Sequence, residues 1–236
     1  MLVFAHRGAS GDYPENTLLA MEKAIEQQSH GIEFDVQQAK DGLVVTHDRL
    51  IKNELNEKVW VAQHTVAELK QIVLPYNQQV PTLDEVMECI GGRCQANIEL
   101  KTLEHLHELK EVLHRSTSEY GFFPEQLLIS SFNHHILQTV STWGMNIRIG
   151  ALTASLPADY ASFATQLRVN SVHADVNALS KEFVKDTQAR GMHMLVYTVD
   201  QEQDIVRMME WGVDGIFSNY PQQARDIIAA YSGQLR

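Results

Sequence analysis

A chain of 236 residues with 44% hydrophobic content suits one domain of the larger kind, with enough apolar material for a sizeable core. Its formal net charge of −11 speaks against nucleic acid as a partner, since phosphate backbones require basic surfaces, and equally against a polybasic membrane anchor. An anionic substrate is compatible with such a chain only where local cations, side chains or a metal, hold it.

The first apolar run, LVFA (2–5), lies in MLVFAHRG, which has no basic n-region and leads straight into folded sequence, so no signal peptide is expected. The next runs are GIEFDV (31–36), LVVTH (43–47), ANIELK (96–101), LLIS (127–130), NIRIGAL (146–152), SVHADV (171–176), MLVYTV (194–199) and DGIFSN (214–219). Helical patterns fall between them at 17–29, 82–91, 103–117, 133–143, 157–167, 180–190, 201–211 and 221–232. Several start behind capping residues such as Asn133, Ser180 and Asp200. This alternation of strand and helix predicts a parallel sheet.

One gap is too short for a parallel crossover. Only QQAKDG separates GIEFDV from LVVTH, and KDG is tight-turn sequence, so this pair is expected as an antiparallel hairpin. Folding back there sets His47 roughly opposite Asp35. The remaining eight strands and eight helices are the count of an α/β fold of the (β/α)8 TIM-barrel type. An open doubly wound sheet would show a G-x-G-x-x-G loop after the first strand, and HRGASG lacks that spacing.

Residues 48–81 offer no βα unit, only a short helix in TVAELKQI and a loop in PYNQQVP. They read as a small insertion above the barrel, so that residues 1–236 form a single domain. No apolar run of about 18 residues appears, and no membrane insertion is expected. Cys89 and Cys94 stand without a second pair and read as reduced thiols of a cytoplasmic protein. The oligomeric state stays open, a homodimer included.

Active sites of such barrels lie at the C-terminal ends of the strands. Those ends carry His6 and Arg7, then Glu33 and Asp35, then His47 and Asp48, then Glu99 and Lys101. Glu33 and Asp35 lie two apart, as do Glu99 and Lys101, so each pair shares one face, while Ile32, Phe34 and Val36 take the face that packs on helices. Three carboxylates, two histidines and two cations therefore converge at the barrel mouth. Such crowding drives carboxylates to take up protons unless a divalent cation relieves it. All-oxygen ligation suits Mg²⁺ or Ca²⁺, and Mn²⁺ less well. Any one of these residues alone is more often a solvated charge; the joint placement carries the reading. Ser131, Phe132 and Asp175 are further candidates for the pocket wall. His134 and His135 read as helix-start residues, and His105, His107 and His114 lie on a helix where i,i+2 neighbours do not share a face.

The blocks AHRGASGDYPENT, GIEFDVQQAKDGLVVTHD, VPTLDEV, NIELK and GVDGIFSNYP resemble, in order and across nearly the full length, the glycerophosphodiester phosphodiesterases. The resemblance implies a TIM barrel with a small insertion, and metal-dependent cleavage of a small-molecule glycerophosphodiester into glycerol 3-phosphate and an alcohol. Carried over by position, it implies Glu33, Asp35 and Glu99 as metal ligands, His6 and His47 as the acid–base pair, and Arg7 and Lys101 as phosphate-binding residues. Glu15 and Asn16, from PENT, would support the site, Glu15 by orienting Arg7 or a bound water.

The chain departs from the family pattern at three places. Tyr197 stands where Trp is usual, so one wall of the substrate pocket differs. Ser218-Asn219 replaces the usual Thr-Asp, and the stretch RLIKNELNEKVW diverges from a Thr- and Gly-rich insertion. None of these is expected to touch the metal or acid–base residues. Two rival readings are a lysophospholipase D-like enzyme, which needs a slot for one acyl chain, and a binding protein that has lost activity, although every expected catalytic residue is present.

Overall fold

The computed structural model describes residues 1–52, 58–101, 103 and 106–234. The chain runs β1 (Leu2–His6), α1 (Leu18–Glu26), β2 (Gly31–Gln38), β3 (Leu43–Val45), β4 (Leu50–Lys52), β5 (Lys58–Trp60), α2 (Val66–Leu69), α3 (Leu83–Ile90), β6 (Gln95–Leu100) and α4 (His107–Ser118). It continues β7 (Leu127–Ser131), α5 (His134–Ser141), β8 (Arg148–Thr153), α6 (Ser162–Leu167), β9 (Ser171–Asp175), α7 (Lys181–Ala189), β10 (His193–Tyr197), α8 (Glu202–Trp211), β11 (Gly215–Ser218) and α9 (Pro221–Gln234). Parallel pairing runs β1-β2-β6-β7-β8-β9-β10-β11, and β11 returns to β1, so the sheet closes into the expected TIM barrel.

Local chemistry sets many of the boundaries. Thr82 caps α3 reciprocally with Glu85, and Thr17 and Ser180 accept from the first-turn amides of α1 and α7. The outward strand residues, among them Val3, Ile32, Phe34, Ile98 and Val172, are fully buried in the main core beneath the helices. A separate small cluster of Phe4, Leu128, Leu195 and Phe217 fills the lower barrel interior. Cys89 and Cys94 are free thiols, and burial raises them to about 11 and about 12. No helix among the described residues is long and apolar enough to cross a membrane.

β3 adds to β2 as the expected antiparallel hairpin, with Val36 opposite Val45 and Gln38 opposite Leu43. The Thr46 amide donates to the Asp35 carbonyl at 2.9 Å, so Thr46 faces Asp35 and His47 comes one residue later, at the rim. The 48–81 segment is more structured than its sequence suggested. β4 and β5 form an antiparallel hairpin of their own, three residues a side, too short to show an alternating pattern. Residues 53–57 between them lie outside the described residues, as does His105. The helix expected at 103–117 is α4, and that expected at 157–167 is confined to α6, with turns before it.

The stagger of a closed barrel stacks inward side chains in layers drawn from alternate strands. The register puts Glu33, Ser130, His173 and Phe217 in one layer. His6, Glu99, Leu152 and Tyr197 lie above it, and Phe4, Asn97, Gly150 and Leu195 below.

Candidate active site

The turn after β1 is built to present backbone as well as side chain. Gly8 takes φ +79°, and a Cβ there would lie 2.7 Å from Ala20, so only glycine lets the loop pack on α1. Arg7 itself has φ 58° and Asn16 φ 56°, conformations that cost a non-glycine residue on the order of 1 kcal/mol and are retained where surrounding contacts fix them. Here the contacts are visible. The Arg7 amide donates to Glu33 Oε2 at 3.0 Å, and the Asn16 amide donates to the Arg7 carbonyl at 3.0 Å. The Asn16 side chain then donates to Asp35 Oδ2 at 2.9 Å and accepts from the Asp35 amide at 3.2 Å. PENT thus holds one acid from both ends.

Glu33, Asp35 and Glu99 are all buried, and one carboxylate oxygen from each lies within 4.8 Å of the others. The two cations are not free but sit on these acids. Lys101 Nζ is 2.8 Å from Asp35 Oδ1 and also pairs with Glu99, while Arg7 Nε is 3.2 Å from Asp35 Oδ2. Arg7 is also clamped by Glu15, whose two oxygens lie 3.0 Å from Nη1. Burial works against ionising Asp35, but Lys101 and Arg7 together overcome it and hold its carboxyl below the usual range. Glu33 is the opposite case: burial first, then Asp35 and Glu99, raise it well above that range. Burial also raises Glu99, against the pull of Lys101.

His6 projects from the end of β1 and His47 from beyond β3. Burial, aided by Arg7, pushes the His6 imidazole down to about 4, so the ring is neutral near pH 7. Its Nδ1 lies 2.8 Å from Asn219 Oδ1. Asn219 donates through Nδ2 to Asp200 at 2.7 Å, which fixes its amide and makes Oδ1 the acceptor. The His6 proton therefore sits on Nδ1, and Nε2, 4.0 Å from Glu33 Oε2, presents a lone pair to the site. His47 is partly exposed, with Nδ1 2.8 Å from Asp48 Oδ1.

These residues open on a cavity of about 460 Å³ lined by His6, Arg7, Glu33, His47, Glu99 and Lys101 on one side. Phe132, Asp175 and Tyr197 line the other. Tyr197 donates to the Thr153 carbonyl at 3.0 Å and stands edge-on to Phe132, ring centroids 6.1 Å apart. Glu15 and Asn16 instead border a second cavity of about 540 Å³, between the barrel mouth and the β4–β5 hairpin.

The remaining expectations divide. Ser131 does not reach the cavity; it is fully buried and donates to the Leu100 carbonyl at 2.7 Å. His134 begins α5, with Nε2 2.9 Å from the Leu152 carbonyl and its ring stacked on Phe163. Asn219 overturns the expectation that the departures from the family pattern avoid the acid–base residues, because one of them is the hydrogen-bond partner of His6. Asp200, Asn97 and His173 also belong to the site's surroundings and were missed. Each is an ordinary residue in its local sequence, and only the barrel closure brings β11 beside β1.

Comparison with known proteins agrees with this geometry. Residues 6–223 match the model of the Glycerophosphoryl diester phosphodiesterase family. A glycerophosphodiester phosphodiesterase of Caldanaerobacter subterraneus subsp. tengcongensis is 34% identical, with 96% of this chain aligned to 97% of that protein. One from Bacillus subtilis is 32% identical over 98% of this chain and 87% of its own length. Among solved structures, an Oleispira antarctica phosphodiesterase in complex with the product sn-glycerol-3-phosphate superposes with a TM-score of 0.87 at 28% identity, covering 97% of both chains.

Proposed function

The chain belongs to the glycerophosphoryl diester phosphodiesterase family and is a phosphoric diester hydrolase, and on that premise we propose that it cleaves glycerophosphodiesters to glycerol 3-phosphate and an alcohol with a divalent cation, Mg²⁺ or Ca²⁺. The observation that carries this reading is a buried triad of acids beside a neutral histidine whose Nε2 lone pair faces the same cavity.

Glu33, Asp35 and Glu99 fit a hard cation. Their donors are all carboxylate oxygens, and Glu33 Oε1 is buried without a protein partner, which is costly unless something positive meets it. Held there, the cation supplies positive charge to the phosphoryl oxygens. Asn16 keeps Asp35 oriented toward that position, and the Arg7 amide does the same for Glu33. Arg7, gripped by Glu15, presents its guanidinium to a phosphate oxygen. Lys101, which lines the same cavity, would offer its ammonium to another. Tyr197 forms part of the wall against which substrate lies.

The proton transfers fall to the histidines. His6 Nε2 takes the proton of the attacking hydroxyl as the new P–O bond forms. His47, its other nitrogen held by Asp48, gives a proton to the alcohol oxygen as the old P–O bond breaks. The reading also keeps residues 1–236 as one domain with 48–81 as an insertion, a small-molecule substrate and a cytoplasmic location.

The test is release of glycerol 3-phosphate from glycerophosphocholine and glycerophosphoethanolamine with Mg²⁺, with Ca²⁺ and with EDTA. Activity that needs a metal supports the reading. Undiminished turnover in EDTA removes the metal from it, and no release with either metal removes the activity.

A further inference from the structure

The second cavity, of about 540 Å³, departs in charge from the chain around it. The chain carries a formal net charge of −11, yet Arg49, Lys52 and Lys58 all line this one space. Lys52 and Lys58 stand directly opposite each other across the β4–β5 ladder, although like charges so placed oppose strand pairing. Arg49, just before β4, lies over the Trp60 ring, 5.4 Å from its centroid, which keeps the guanidinium beside the same hairpin. Among the described residues none of the three forms an ion pair. The two acids that line the cavity are committed elsewhere, Glu15 to Arg7 through both oxygens at 3.0 Å and Asp48 to His47 at 2.8 Å.

Those same two pairs tie this cavity to the catalytic one. Arg7 and His47 line the catalytic cavity, and their partners Glu15 and Asp48 line the cationic one. An alcohol protonated by His47 leaves at this boundary, and whatever it carries beyond its oxygen reaches past Asp48 toward the hairpin. Val45, Leu50 and Leu74 supply the apolar part of that space, and the three cations the positive part. A positive lining in an acidic chain draws in an anion and turns away a bare cation.

We propose that this cavity is the subsite for the leaving alcohol, and that it favours an alcohol bearing an anionic group, a carboxylate or a phosphate, over a neutral or purely cationic one. This rests on the hydrolase reading, with His47 as the acid, and adds which glycerophosphodiesters the chain turns over best. All three cations fall in RLIKNELNEKVW, the stretch that diverges from the family pattern, so the preference is specific to this chain.

Glycerophosphoserine and glycerophosphoethanolamine test it, because their alcohols differ by a single carboxylate. Release of glycerol 3-phosphate in the presence of Mg²⁺ or Ca²⁺ gives kcat/KM for each. The wild-type protein is expected to favour glycerophosphoserine by ~5-fold or more at low salt. The ratio should fall toward one in ~0.5 M NaCl, where exposed charges are largely screened. Lys52→Gln combined with Lys58→Gln should cut it to ~2-fold or less, and Lys52→Glu combined with Lys58→Glu should bring it below about one. A ratio of two substrates on one sample does not depend on how much of that sample is folded. A wild-type ratio of ~2 or less overturns the proposal, as does a preference that survives in the glutamine variant or in high salt. Turnover of both substrates without preference sinks the subsite alone. Release from neither sinks the hydrolase reading, and the subsite with it.

Discussion

Asn219, at the end of the last barrel strand, accepts at 2.8 Å from Nδ1 of His6, at the end of the first. Because its own amide is held by Asp200 at 2.7 Å, Asn219 selects the tautomer that leaves His6 Nε2 able to accept a proton. Asn219→Ala is expected to lower kcat by ~10-fold or more with KM little changed, since the substrate is still bound but the base is free to turn. Asn219→Asp, which restores the residue usual at this position in the family and keeps an oxygen to accept from His6 Nδ1, should retain more kcat than Asn219→Ala. Steady-state kinetics of both variants check this, and an unchanged kcat in Asn219→Ala would remove Asn219 from the mechanism.

His6→Gln and His47→Gln should each reduce kcat by ~10²–10⁴, the range for losing a positioned acid or base. Binding of glycerol 3-phosphate should persist in both, because Arg7, Lys101 and the acids remain. A double variant no worse than either single one would show that the two act as a unit.

Glu33 is raised well above the usual carboxylate range by burial and by its acidic neighbours, so protons compete with a cation for it. Ca²⁺ affinity, measured by calorimetry, should therefore rise as pH increases from about 5 to 8. The same raised carboxyl means that the folded protein holds a proton more tightly than the unfolded chain, so this group costs stability as pH climbs. Glu33→Gln should abolish stabilisation by Ca²⁺ while leaving the metal-free protein with a melting temperature no lower than that of the wild-type protein. A strongly Ca²⁺-stabilised Glu33→Gln protein would place the cation elsewhere.

His173 is fully buried, and burial lowers its imidazole from 6.5 to about 3. The unfolded chain takes up the proton first, so the stability this residue contributes is complete above about pH 6.5 and is lost as pH falls toward 3. The loss is on the order of 1.4 kcal/mol for each pKa unit of the gap. Urea unfolding of the wild-type protein and of His173→Gln at pH 7 and pH 4.5 should show the smaller pH dependence in the variant. Equal pH dependence would mean that His173 titrates normally in the folded state.

The barrel was legible because its signals are local and repeated. Runs such as GIEFDV and ANIELK set apolar residues on one face and acids on the other, and the short QQAKDG link betrayed the β2–β3 hairpin. The grouping of Glu33, Asp35 and Glu99 followed from the same period of two together with the rule that strand ends form the site. The β4–β5 hairpin was not legible, because LIK and KVW are too short to show a period. Asn219 read as a mere departure from a motif for a different reason: its partner lies 213 positions away.

By itself the sequence determined the fold class and the ionisable residues at the barrel mouth, since strand alternation, turn chemistry and helix capping act over a few neighbouring residues. The tertiary structure alone decided what those residues touch. Closure of β11 on β1 gave His6 its tautomer, the stagger of the strands put Ser130 and His173 in the layer of Glu33, and the shared interior split the acids, burial raising Glu33 above the usual carboxylate range while Lys101 and Arg7 hold Asp35 below it. Desolvation and hydrogen-bond partnership depend on what the rest of the chain brings close, and no local pattern encodes them.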